Sequence, residues 1–276
     1  MMIEKLNAFK TYLIEEERSQ GTIEKYLRDV SAFLSWLEEK EITKLCFAQW
    51  KEYLIAAGYR PVTVNSMIAS VNTFLCFLGK EECRIRSLRL QRCTFRSAEK
   101  ELTVDEYRRL VQTAHSLKKE RLELLLETIG STGIRVSEVK YITIKATQNG
   151  RAEISLKGKI RTIILPGQLC RKLLKYAKKN KIASGEIFLT RSGKGMDRKQ
   201  IWAEMKKLCA YAGISSTKVF PHNLRHLFAR AFYKEHKNIV HLADVLGHSS
   251  IDTTRIYLIS TGAEHAKMVE QLRLIC

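Results

Sequence analysis

The sequence predicts a mainly α-helical chain: an N-terminal four-helix domain, then a larger, mostly helical domain that carries a small antiparallel sheet. Three observations carry this reading. Only three prolines occur in 276 residues. Apolar residues recur three and four apart along most of the chain, the pattern of helices with one buried face. Strict alternation of apolar and polar residues, the strand pattern, is confined to a short stretch after residue 150. With 45% hydrophobic residues there is ample material for packed cores, which excludes intrinsic disorder.

Leu6, Phe9 and Leu13 mark the first helical stripe. The break Ser19-Gln-Gly-Thr22 follows, with Thr22 as the expected cap of a second helix built on Ile23, Tyr26, Leu27, Val30, Phe33, Leu34 and Leu37. A short third helix is expected over 49–57 and a fourth over 62–78, entered through Pro61. These four make a domain over residues 1–83. Residues 84–99 change character: Arg84, Arg86, Arg89, Arg92 and Arg96 stand against Glu99 alone, with no sustained stripe. This segment reads as a basic linker, either a solvated charge run or a strap along phosphates.

The second domain spans 100–276. Thr103 is the expected cap of a helix over 104–116, and another follows over 118–130. Residues 140–147 read as a strand and Asn149-Gly150 as a hairpin turn. Ala152, Ile154 and Leu156 alternate with polar neighbours, and a second run, Thr162-Ile-Ile-Leu165, ends at Pro166. Between these runs lies a tight basic turn, Lys157-Gly-Lys159. Helices are expected over 167–180, over 198–212 and onward to the C-terminus.

Charge narrows the function. Forty-eight Lys and Arg against 29 Asp and Glu give +19 and a pI near 9.7. Residues 1–100 hold 16 basic and 13 acidic side chains, residues 101–276 hold 32 and 16. A field of that size expects a polyanion. The seven cysteines form no Cys-x-x-Cys pair, so neither a disulfide framework nor a zinc ribbon is encoded. No run of about 18 apolar residues and no apolar signal core occur, so the expected setting is the cytoplasm, with no membrane partner.

The sharpest local feature is Pro221-His222-Asn-Leu-Arg225-His226 at the head of a helix. His222 and Arg225, three apart, share a face. His222 and His226 also have zinc-ligand spacing, but the metalloprotease pattern needs Glu directly after the first His, and Asn223 stands there. Downstream, Gly247 suits a left-handed helix cap, His248 follows it, and Ser249 or Ser250 caps a helix carrying Tyr257. Upstream, Gly130-Ser-Thr-Gly133-Ile-Arg135 places an arginine after a glycine-containing turn, with Glu138 to brace it. Each alone reads equally as structure: a turn histidine, a half-buried tyrosine, a salt-bridged arginine.

The ordered set Arg135, Lys157, His222-x-x-Arg225, His248 and Tyr257 resembles the tyrosine recombinases, the phage-integrase and Xer-like group. The string Leu246-Gly-His248-Ser-Ser-Ile-Asp-Thr-Thr-Arg-Ile-Tyr257 is similar to that family's C-terminal motif, and the four-helix part to its core-binding domain. The family's lysine usually sits in a Gly-Lys-Gly turn; here Lys157 and Lys159 compete for that role.

The resemblance implies site-specific cleavage and religation of double-stranded DNA through a 3′-phosphotyrosyl link on Tyr257. By the same resemblance His222 serves as general base, Arg135, Arg225 and His248 hold the phosphate, and Lys157, which precedes the glycine of the turn and is favoured over Lys159, protonates the leaving oxygen. It implies no cofactor and no metal. It further implies a homo-oligomer, a tetramer on two DNA sites joined through the helix over 264–274, accessory DNA-bending proteins and association with the nucleoid. Arg84, Arg86, Arg89, Arg92 and Lys159 are the candidate DNA contacts. A catalytically idle DNA-binding regulator and a topoisomerase-like relaxing enzyme are the alternatives; the first expects a missing site residue, and all six positions are filled.

Overall fold

The computed structural model describes residues 2–38, 40–90, 98–156, 159–248, 250–258 and 270–271. Expectations about Arg92, Lys157, Ser249, the Lys159 side chain and most of the helix over 264–274 fall outside what is described. The chain divides into two compact units, Met1–Arg92 and Cys93–Cys276.

In the first unit α1 (Met2–Glu15), α2 (Gln20–Leu37), α3 (Lys44–Ala56) and α4 (Pro61–Phe77) bring their apolar stripes together. Phe9, Leu13, Val30, Phe33, Phe47, Trp50, Ile68, Val71 and Phe74 are buried. Burying each such side chain contributes ~1.5–3 kcal/mol. Phe9 meets Phe74 and Phe33 meets Trp50 edge-on, with ring centroids 5.1 and 5.0 Å apart, the arrangement that ring quadrupoles favour.

Two boundaries differ from expectation. Thr22 lies inside the first turn of α2; Ser19 holds the cap position, its Oγ 2.9 Å from Thr22 Oγ1. Helix α3 starts at Lys44, because Thr43 Oγ1 accepts from Cys46 N at 3.2 Å and so satisfies a free amide there.

Residues 84–90 are non-helical and are held to α4 by two asparagine side chains. Asn72 donates to Ile85 O (3.0 Å) and accepts from Ile85 N (3.2 Å); Asn65 does the same to Leu88, at 2.9 and 2.7 Å. Each primary amide thus imitates a strand neighbour. Ile85 and Leu88 pack on the unit's core, while Arg84, Arg86 and Arg89 are exposed.

The second unit opens with α5 (Val104–Ser116), whose N-terminus is a reciprocal capping box between Thr103 and Glu106. α6 (Glu120–Thr132) runs through the core with Leu122, Leu125, Leu126 and Ile129 buried. Residues 140–147 are not a strand. A 3₁₀ segment (Val136–Tyr141) leads into α7 (Ile144–Gln148). The β-branched run favours extended backbone, yet Thr143 Oγ1 accepts from Ala146 N at 3.1 Å and starts a helix; only Thr143 itself forms a bridge, to Glu186.

Consequently Asn149-Gly150 ends α7 rather than turning a hairpin. The hairpin is β1 (Arg151–Leu156) against β2 (Lys159–Ile164), antiparallel, in register from Arg151↔Ile164 to Leu156↔Lys159. α8 (Gly167–Lys179), α9 (Arg198–Ala212), α10 (Pro221–His236), α11 (Ile239–Leu246) and α12 (Ile251–Arg255) follow. Tyr257 sits not on a helix but in the 3₁₀ turn Ile256–Leu258 just after α12. Among the described residues no helix is long and apolar enough to cross a membrane.

Candidate active site

Helix α10 points Arg225 inward, leaving it 1% exposed. Its guanidinium donates to Gly133 O, to Leu246 O at 2.8 Å, to His248 Nε2 at 2.8 Å and, through Nε, to the Tyr257 hydroxyl at 3.2 Å. None of these partners carries a negative charge. Burial, reinforced by the charge of Arg135, lowers Arg225 to about 10, still protonated at neutral pH.

Gly133 makes this possible. It ends α6 at φ +63°, and a Cβ there would lie 2.5 Å from Phe228 Cδ1 on α10. Only glycine allows both the left-handed turn and the close approach that presents its carbonyl to Arg225.

His248 follows Gly247, which terminates α11 in the left-handed conformation. Its Nε2 faces Arg225 and its Nδ1 lies 2.8 Å from Thr254 Oγ1. A guanidinium only donates, so Nε2 accepts, and Nδ1 carries the proton toward Thr254. Burial, then the charges of Arg225, Arg135 and Arg161, lower His248 to about 4, so the ring is neutral at pH 7. Thr254 is fully buried, on a helix started by Ser250, whose Oγ accepts from Asp252 N.

Tyr257 is 6% exposed. Its ring stacks on His248 (5.5 Å, 18°) and meets His226 at 4.3 Å and His222 at 5.6 Å. His226 is buried in α10, whereas His222 is exposed at its first turn. Arg135 completes the group: its Nη1 donates to Glu138 Oε1 at 3.0 Å, its backbone N to Oε2 at 2.9 Å, and its side chain stays 40% exposed.

Glu138 also accepts from Arg161 of β2, which donates to Leu246 O as well. Sequence reading passed over Arg161, having started the second alternating run at Thr162. Its signal was alternation itself: Arg161 shares a strand face with buried Ile163 and pairs with buried Ile154. Thr254 was missed too, since nothing in the chain marks a threonine as the partner of a histidine on the preceding bend.

The fold therefore gathers Arg135, His222, Arg225, His248 and Tyr257. Arg84, Arg86 and Arg89 lie in the other unit, on the exposed side of its extended segment. Of the three guanidiniums gathered here, Arg135 and Arg161 share one carboxylate, Glu138, while Arg225 bonds two carbonyls, an imidazole and a phenol. Such a site attracts an anion with several oxygens and presents fixed donors to it. Among the described residues no group of three His, Cys, Asp or Glu side chains could hold a metal ion.

The model of the phage integrase family matches residues 100–264, and that of the phage integrase N-terminal SAM-like domain matches residues 6–82. The chain is 29% identical over 282 residues to tyrosine recombinase XerA of Pyrococcus furiosus, covering 99% of this chain and 95% of that protein. It is 26% identical to tyrosine recombinase XerC of Thermodesulfovibrio yellowstonii, over 88% and 87% of the two chains. A crystal structure of XerA recombinase superposes with TM-score 0.54 at 25% identity, covering 99% of each chain. A lambda integrase tetramer bound to a Holliday junction shares the fold, with TM-score 0.72 at 18% identity over 93% of this chain and 76% of that one.

Proposed function

The chain belongs to the phage integrase family and is a tyrosine-type site-specific DNA recombinase, and from that premise we propose that Tyr257 is its nucleophile. The single observation that carries this reading is the Tyr257 hydroxyl 3.2 Å from the buried, carboxylate-free guanidinium of Arg225. A free phenol ionises near 10 and needs a base or positive charge to react at neutral pH.

Tyr257 Oη attacks the scissile phosphorus; the O–P bond forms as the bond to the 5′-oxygen breaks, giving a 3′-phosphotyrosyl ester. His222 accepts the phenolic proton. Arg135 and Arg225 hold the non-bridging oxygens as their charge grows, and His248 adds a hydrogen bond. Since the free ring presents its Nε2 lone pair to Arg225, it serves as donor to the phosphate only once its proton moves to that nitrogen. Lys157, or failing it Lys159 at the start of β2, protonates the leaving 5′-oxygen. Ester is exchanged for ester of similar energy, so religation to another 5′-hydroxyl needs no nucleotide hydrolysis.

The partner is double-stranded DNA and the working form is an oligomer. Domains over 1–83 and 100–276, joined by a basic linker over 84–99, share the backbone contacts, with Arg84, Arg86, Arg89, Arg92 and Lys159 on phosphates. Four copies assemble on two sites through the helix over 264–274, with accessory DNA-bending proteins, at the nucleoid. Support for the strap is the outward exposure of Arg84, Arg86 and Arg89. The structures of DNA-bound lambda integrase support the assembly by shared fold.

The test is a nicked suicide duplex taken from DNA flanking the gene. Wild type should form a denaturant-resistant adduct that maps to Tyr257, and Tyr257→Phe none. An undiminished adduct in that variant refutes the nucleophile.

A further inference from the structure

We propose that Arg161 is a positioning residue that seats the hairpin on the active site and so sets where its lysine reaches; this rests on the reading of Lys157 or Lys159 as the proton donor. A two-stranded hairpin is marginal by itself in water and must be held by something else. β1 is held by buried Ala152 and Ile154 and by Tyr141, whose hydroxyl donates to Ser155 O at 2.9 Å. On β2, Arg161 takes an inward position next to Ile163, where an apolar side chain would continue the core.

Placing a guanidinium there is expensive, and burial lowers its pKa. Its Nε is buried with no hydrogen-bond partner among the described residues, so the water it gave up on folding is not replaced. Packing alone does not account for that choice of residue.

What Arg161 touches does. Its Nη2 donates to Glu138, the carboxylate that also holds the side chain and backbone N–H of Arg135. Its Nη1 donates to Leu246 O, which also accepts from Arg225 and directly precedes Gly247-His248. Gly247 leaves the room: a Cβ there would lie 2.5 Å from Arg161 Cδ. One side chain thus fixes the hairpin to the same two acceptors that fix the phosphate-binding arginines. Lys159 lies two strand positions away, roughly 7 Å along the chain, and Lys157 stands two residues before it in the sequence. A shift at Arg161 therefore moves the proton donor relative to the phosphate.

The test compares two nicked suicide duplexes in single-turnover cleavage, one with the natural leaving oxygen and one with sulfur in its place. In both, the Tyr257 O–P bond forms as P–O or P–S breaks; oxygen departs with a proton from lysine, whereas sulfur departs as thiolate and needs none. Arg161→Gln should cleave the oxygen substrate about a hundredfold slower, the size of effect that an ångström of misplacement produces. It should regain most of the wild-type rate on the sulfur substrate, with DNA affinity unchanged. Arg161→Lys, which keeps the charge but only one arm of the fork, should show a smaller defect with the same recovery, and it serves if Arg161→Gln does not fold.

Lys157→Ala, Lys159→Ala and Arg135→Gln are the references. One lysine variant should recover on sulfur and Arg135→Gln should not. An Arg161 defect equal on both substrates, or no defect, overturns the proposal while leaving the lysine reading intact. Failure of both lysine variants to recover overturns the lysine reading, and this proposal with it.

Discussion

The two units bury charge in opposite ways. In the first, Asp29 is 3% exposed between α2 and α4, and its carboxylate meets Lys25 Nζ at 2.6 Å, Ser70 Oγ at 2.9 Å and Arg28 Nη2 at 3.3 Å. Anion and cations are closed on each other, and the cluster pins one helix to another. In the second, Arg225 is equally buried but its partners are two carbonyls, a neutral imidazole and a phenol. A buried charge that finds its counter-charge inside the fold serves the fold; one left open awaits a ligand.

Replacement of the two buried charges breaks or sharpens this contrast most strongly. Arg225→Gln should slow cleavage at saturating DNA by about a hundredfold to a thousandfold, the usual loss for a fixed donor to a developing anion. Asp29→Asn should leave the cleavage rate of the folded protein unchanged; equal slowing by both would erase the distinction. Asp29→Asn should instead lower stability by about 1–3 kcal/mol in urea unfolding, since the lost partner leaves Lys25 only partly exposed.

Smaller effects follow at the strap and at His248. Affinity for DNA should fall steeply with salt, and replacing Arg84, Arg86 and Arg89 together by alanine should flatten the log–log slope by up to about 3, one counterion for each phosphate contact. For His248 the folded state holds the proton less tightly than the unfolded chain, so its contribution to stability is complete above about pH 6.5 and is lost as pH falls toward about 4. Unfolding measured across that window should show stability rising with pH, and a flatter rise in His248→Asn.

Much of this was legible in the chain because local chemistry sets it. Thr103 marks a helix start, Gly247 a left-handed cap, and the stripe from Ile23 to Leu37 one helix face. Residues 140–147 misled because β-branched side chains signal a strand, while one hydroxyl, that of Thr143, decides for a helix. The site residues were legible as types at intervals, yet their arrangement was not. Nothing in sequence tells that Leu246 O serves two arginines, that Thr254 fixes the tautomer of His248, or that Asn65 and Asn72 hold a strap along α4. These pairings join residues brought together only by packing.

The most direct test of the open-charge account removes the charge from the substrate instead of the protein. In a duplex whose scissile phosphate carries a methyl group in place of one non-bridging oxygen, the anion that Arg135 and Arg225 are said to hold is gone. Arg225→Ala and Arg135→Ala, slow on the natural phosphate, should regain a large part of their cleavage on the methylated one, and Tyr257→Phe should regain none. Equal loss on both substrates for both arginine variants would contradict the account.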